Sequence, residues 1–182
     1  MRVLVACEFS GVIRNAFIRK GHDAWSCDLL PSGGNHICKD VLEVIDDGWD
    51  LVIAHPPCTH TALSGRRWFK EKIADGRQQE GIDFFMRFTE LNVDKVCIEH
   101  PMSIMSKVYR PPDQIIQPWM FGHGEVKSIC LWLKNLPYLV PTDVVSGREQ
   151  KVHNMTSKDR SMKRSITYKG IASAMADQYS VY

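Results

Sequence analysis

Asp50-Leu51-Val52-Ile53-Ala54-His55-Pro56-Pro57-Cys58 is the stretch on which the fold turns. Its apolar run, residues 51–54, shows no alternation with polar positions, so it predicts a strand covered on both faces. Pro56 and Pro57 end it, because neither can donate a ladder hydrogen bond. Working outward, residues 2–6, 24–27, 95–99 and 129–133 predict further strands of the same buried kind. Between them lie helical patterns. Residues 11–20 place apolar side chains at 12, 13, 16 and 17 and stop at Gly21, while residues 78–91 place them at 82, 84, 85, 88 and 91. A short helix is expected over 41–46, a loop over 31–35 and a closing helix over 171–179. Strands alternating with helices predict an α/β domain built on a doubly wound, mostly parallel, Rossmann-like sheet.

The bulk properties bound the function classes. The chain has 182 residues, 44% of them hydrophobic and 24% charged, which is the composition of one globular domain. A net charge of +2 gives no strong overall field for a polyanion. No apolar run approaches the ~20 residues needed to cross a bilayer, and the apolar start at residues 1–6 reads as a strand rather than a signal peptide. No membrane association is expected, and the six cysteines are expected to be reduced thiols in or beside buried strands of a cytoplasmic protein.

In an open α/β sheet the ligand sits beyond the carboxyl ends of the strands. Four strand ends carry reactive or polar groups: Cys7-Glu8-Phe9, Asp28, His55 to Cys58, and Glu99-His100-Pro101. Cys58, on a rigid loop after a central strand, is a candidate nucleophile or a structural thiol behind a proline turn. Glu99 is a carboxylate able to hold the Watson–Crick edge of a pyrimidine, or a strand-end acid. Phe9-Ser10-Gly11 lies where a cofactor meets a helix N-terminus, and Asp28 where an acid binds ribose hydroxyls. Asp40 is placed to accept from an adenine amine; the local alternatives are a helix start at Gly11, a turn at Asp28 and an N-cap at Asp40. No G-x-G-x-x-G is present, which speaks against a nicotinamide site. A zinc set of His55, Cys58 and His60 with Cys97 or His100 matches no common finger spacing, so no metal is expected.

Taken in order, Phe9-Ser10-Gly11, Asp28, Lys39-Asp40-Val41, Pro56-Pro57-Cys58 and Glu99-His100-Pro101 resemble the motifs of the DNA cytosine-C5 methyltransferases. The likeness extends to residues 122–133, with Lys127 where the family has an arginine, and to the Gly-led segment starting Gly170-Ile171-Ala172. It covers residues 1–135 and 164–180 and is nearest to short phage-type members, which would act in the cytoplasm of a host cell. The resemblance implies a methyltransferase fold and S-adenosylmethionine held by Phe9, Gly11, Asp28, Asp40 and Pro56. It also implies catalysis on flipped-out DNA cytosine by Cys58, Glu99 and Lys127. Thymidylate-synthase-like enzymes share a Pro-Cys nucleophile loop but carry it late in a larger chain. Amino-methyltransferases need an acid and an aromatic where His55 and Cys58 stand.

The chain departs from the family in three places. Ile13 and Arg14 replace glycines, Lys39 replaces a glycine, and only residues 137–165 stand where a target-recognition region would lie. That reduced loop is rich in cations, among them Arg148, Lys151, Arg160, Lys163 and Arg164. It is expected to grip phosphates weakly and with little sequence preference, unless a partner or second subunit supplies specificity. The rival to an enzyme is a degenerate methyltransferase-fold protein that binds nucleotide or nucleic acid without turnover.

Overall fold

A computed structural model describes residues 1–149 and 164–181. Within them the strands are β1 (Arg2–Ala6), β2 (Asp23–Asp28), β3 (His36–Cys38), β4 (Leu51–Ala54), β5 (Lys95–Pro101), β6 (Gln114–Ile116) and β7 (Ile129–Lys134). The helices are α1 (Val12–Arg19), α2 (Phe69–Ala74), α3 (Arg77–Thr89), α4 (Met105–Val108) and α5 (Lys169–Tyr179). All seven strands join one sheet in the order β3-β2-β1-β4-β5-β7-β6. The first five pair in parallel, and β7 runs antiparallel to both β5 and β6. The expected α/β architecture is thus present, as a mostly parallel mixed sheet.

The apolar runs are continuous because both faces are covered. Val3 and Val5 of β1, Leu51 and Ile53 of β4, and Ile129 and Leu131 of β7 pack with Ile13 and Phe17 of α1 and Ile171 and Met175 of α5. Their alternates, Leu4 and Ala6, Val52 and Ala54, Cys130 and Trp132, pack with Phe85 and Phe88 of α3. Burying either layer stabilises the sheet by about 25 cal/mol per Å² of apolar surface. Gly170 lets α5 approach closely, since a side chain there would collide with the Phe121 carbonyl.

Several expectations need correction. The short strands β3 and β6 and the helices α2 and α4 carry too few apolar positions to show a period. The expected helix over 41–46 is a single 3-10 turn, Val41–Glu43. Glu99 does not follow β5 but lies inside it, paired opposite Leu131 of β7. Of the six free cysteines only Cys27, Cys97 and Cys130 are buried; Cys7 and Cys58 are half-buried and Cys38 is exposed. Much of the expected loop over 137–165 lies outside the described residues, which resume at Arg164. Among the described residues no helix is long and apolar enough to cross a membrane.

Candidate functional site

The chain leaves β1 toward β2 on one side and later returns through β4 on the other, so strand order reverses between β1 and β4. A crevice opens at such a switch point. Two hydrogen bonds extend the ladders past the strand ends and fix its floor: His55 N–H to the Ala6 carbonyl at 2.9 Å, and Glu8 N–H to the Cys27 carbonyl at 3.1 Å. Between them Cys7 adopts φ 59°, a left-handed conformation that a non-glycine residue seldom takes. Burial raises the Cys7 pKa, and Asp28 nearby adds to it, so this thiol stays protonated and inert.

Above this floor lies a cleft of about 310 Å³, within the roughly 300–1,000 Å³ of small-molecule sites. Cys7, Cys27, Asp28 and Leu29 form one wall, Lys39, Asp40 and Val41 the next, and Pro57, His60 and the α3 residues Glu80, Gly81 and Phe84 close it. Asp28 Oδ1 accepts from the Leu30 N–H at 2.9 Å and Asp40 Oδ1 from the Leu42 N–H at 3.0 Å. Each acid therefore shapes its own turn and still lines the cleft. Leu29, 75% exposed, stands beside Asp28 as an apolar flap.

The other cofactor-side residues fall elsewhere. Pro57, not Pro56, faces the cleft; Pro56 is buried. Phe9 and Gly11 are absent from its lining. The Arg14 guanidinium folds against Gly11, donating to Ser26 Oγ at 2.9 Å, with Nε donating to Asn15 Oδ1 at 3.1 Å. Glu8 Oε1 accepts from the Ile13 N–H at 2.9 Å and from Ser10 Oγ at 3.1 Å. The positive end of α1 thus already holds a carboxylate of its own chain. Ile13 and Arg14, in place of glycines, build this closed turn.

On the far side of Pro57 stands the reactive set. The Cys58 carbonyl accepts from the N–H groups of Thr61 at 3.2 Å and Ala62 at 2.9 Å, making a tight turn. The largely buried Lys72 holds it from behind, donating to the Thr59 carbonyl at 2.5 Å. His55 Nδ1 lies 3.1 Å from Glu99 Oε2, with the two side chains only 13% and 11% exposed. That contact is not aligned as a hydrogen bond, and His55 Nε2 is buried without a hydrogen-bond partner among the described residues. Lys127 is held by its N–H to Gln117 Oε1 at 2.9 Å and by Nζ to the Arg164 carbonyl at 2.9 Å. Its Nζ also sits 5.7 Å over the Tyr168 ring, and the Tyr168 hydroxyl donates to Glu125 Oε2 at 2.7 Å.

The electrostatics tie these groups into one cluster. Burial raises the Cys58 pKa, while Lys127, its own N–H and Arg164 pull it back. Burial opposes ionisation of Glu99, but the charge of His55 outweighs it, with help from Lys127, and its pKa is lowered. Burial likewise opposes a charged His55, yet Glu99 and then Glu8 overcome it and raise its pKa against Lys127. Both shifts run in the direction that favours a proton on His55 beside an ionised Glu99. His100 differs: burial lowers its pKa to about 4, and its ring stands edge-on to Phe85, 5.4 Å between centroids. It is a neutral core histidine.

Among the described residues no three His, Cys, Asp or Glu side chains converge in a way that could hold a metal ion. Cys58, Glu99 and Lys127, drawn from three separate segments, are electrostatic neighbours. Sequence reasoning missed the part of His55 as partner to Glu99, although its place before the prolines marked it. It also missed His60, Glu80, Gly81 and Phe84 as cleft walls, and no local signal marks those on α3. No protein-family model and no curated protein matches the chain.

Proposed function

We propose that this protein is an S-adenosylmethionine-dependent cytosine-C5 methyltransferase that acts on DNA through a covalent bond between Cys58 and C6 of the base. The observation that carries the reading is the placement of Cys58, Glu99 and Lys127 in one charge cluster, next to a cleft edged by Asp28 and Asp40. The order of strands, with a parallel block and an antiparallel β7, is compatible with the methyltransferase fold that the sequence resembles.

The residues of the cleft fit the cofactor. Its volume suits a nucleoside-sized ligand, Leu29, Val41 and Phe84 offer apolar walls, and Asp28 and Asp40 offer acceptors for ribose hydroxyls and an amine. When bound, S-adenosylmethionine supplies an electrophilic methyl group. The protein's own task is to make C5 of cytosine a nucleophile. Cys58 as thiolate forms a bond to C6, which breaks the aromatic ring and moves electron density to C5. The Lys127 and Arg164 charges favour that thiolate against burial. Glu99 stabilises a proton at N3 during the addition, and Lys127 offsets negative charge on the base. When C5 loses its proton, the Cys58 to C6 bond breaks and the ring regains aromaticity.

A DNA substrate is supported by the segment that follows the nucleophile. Residues 59–70 contain no acid and expose Arg66, Arg67, Trp68 and Lys70, a cationic and aromatic rim for phosphates and an extruded base. The rival reading, binding without turnover, draws on the closed Glu8 and Arg14 turn at α1. One experiment separates them. DNA containing 5-fluorocytosine, given with S-adenosylmethionine, should trap a covalent complex that survives denaturation, because fluorine cannot leave C5 as a proton. The Cys58→Ser variant should form none while keeping cofactor affinity within about threefold. Absence of a trapped complex with the wild-type protein would count for binding alone.

A further inference from the structure

The addition of a thiolate to C6 needs a proton at N3, and Glu99 is poorly suited to hold one by itself. It faces His55 from the β4 loop and Lys127 from the segment before β7, and these two cations favour its ionised form, while His100 on its own strand is neutral. An ionised Glu99 can accept from the base but has nothing to give. The missing proton has an evident home. His55 is in van der Waals reach of the same carboxylate, its Nδ1 3.1 Å from Glu99 Oε2, and both side chains are shut away from water. Its backbone is pinned by the N–H bond to the Ala6 carbonyl at 2.9 Å, which fixes the point from which the ring projects. His55 also faces Glu8 from the β1 to α1 turn, a second carboxylate that favours a charged ring. Among the described residues the buried imidazole Nε2 has no hydrogen-bond partner, so none of them sets its protonation.

We propose that His55 is the proton store for Glu99. The His55 and Glu99 pair holds one proton on His55, whose Nδ1 lies 3.1 Å from Glu99 Oε2, and, as the Cys58 thiolate adds to C6, releases it through the Glu99 carboxyl group to N3. The resting pair is neutral overall and the thiolate carries one negative charge. After addition His55 is neutral, Glu99 is a carboxylate, and the N3-protonated adduct is neutral, so the charge of the site is unchanged. Expulsion of Cys58 returns the N3 proton to the pair. His55 is a positioning and proton-holding residue that touches Glu99, whereas Glu99 touches the base. The inference rests on the function proposed above.

The test follows C5 hydrogen exchange of cytosine in DNA with no methyl donor present, since addition of Cys58 alone loosens the C5 proton. In the wild-type protein the exchange rate should fall as pH rises through the elevated pKa of His55. In His55→Asn the profile should change to follow Glu99 alone, whose carboxyl has lost the strongest influence lowering its pKa, and at pH 8 the rate should drop by ~10²-fold. Histidine nitrogen NMR of the free protein gives an independent reading. His55 should titrate above the ordinary histidine value and should drop in Glu99→Gln. An unchanged pH profile in a folded His55→Asn variant, or a His55 titration indifferent to Glu99→Gln, would overturn the store while leaving Cys58 catalysis standing. No exchange by the wild-type protein at any pH would instead remove the enzymatic reading itself, and the store with it.

Discussion

The two sides of Pro57 are built on different principles. On the cleft side, Asp28 and Asp40 each give one oxygen to an N–H two residues further on, and they depend on nothing distant for their placement. On the reactive side, His55 and Cys58 from the loop after β4, Glu99 from β5 and Lys127 from before β7 come from three segments and influence one another's charge in a buried setting. Groups fixed by their own turns can be removed one at a time with local consequences. Groups that neutralise each other cannot, because loss of one leaves its partner buried and unmatched. The cleft is therefore expected to be modular and the reactive set cooperative.

The sharpest way to break this contrast is Glu99→Gln. It should lower turnover by 10²- to 10⁴-fold, the usual weight of a positioned acid or base. It should also raise the reactivity of Cys58 toward a neutral alkylating reagent at a given pH, since Glu99 is among the charges that hold the thiol protonated. A change in turnover with no change in thiol titration would show that the set is not coupled. Asp28→Ala should weaken S-adenosylmethionine binding by about 1–3 kcal/mol, read by calorimetry, with the thiol titration untouched. Unchanged affinity in a folded variant would remove Asp28 from the proposed cofactor site.

Stability gives a finer probe. Gly170→Ala should destabilise by about 1–3 kcal/mol in urea unfolding, because the new methyl meets the Phe121 carbonyl and must push α5 outward. As α5 begins beside Tyr168, which packs under Lys127, the same variant should also slow turnover, whereas S-adenosylmethionine affinity should hold. The smallest effect is at Asp113, which anchors β7 by accepting from the Leu133 N–H at 2.7 Å and from both Arg110 terminal nitrogens at 2.8 Å. Burial works against its ionisation, but Arg110 and the Leu133 N–H prevail and hold its carboxyl below the usual range. A depressed folded-state pKa gives stability that is present above the ordinary Asp value and lost as pH falls through the folded one. Asp113→Asn should flatten that acid limb by under about 2 kcal/mol, measured by urea unfolding between pH 5 and 2.

Legibility in the sequence followed the same division. Asp28 and Cys58 could be placed because each lies at or just past the end of a strand whose apolar run is visible on its own, and Asp40 because it precedes a helical turn as an N-cap. Pro57 rather than Pro56 faces the cleft because the turn after β4 decides which proline is buried, and periodicity does not record that. Phe9 and Gly11 lie outside the cleft lining for a related reason. The family resemblance predicts an open glycine turn, but Arg14 reaches back across it to Ser26 and Glu8 takes the helix N-terminus. The reduced loop over 137–165 was read for its cations; Arg148, which is described, stacks 3.9 Å over Trp119, and residues 150–163 lie outside the described part.

By itself the sequence determined the buried strands, the alternation with helices and the row of polar residues where those strands stop. These are consequences of hydrophobic periodicity and of proline and glycine, which act over a few neighbouring residues. Only the tertiary structure decided that β7 turns antiparallel beside β5, that α3 walls the cleft, and that His55 meets Glu99. The reason is physical: a buried charge is set by whatever lies within a few ångströms of it, and that neighbour comes from another strand with no trace in the local pattern.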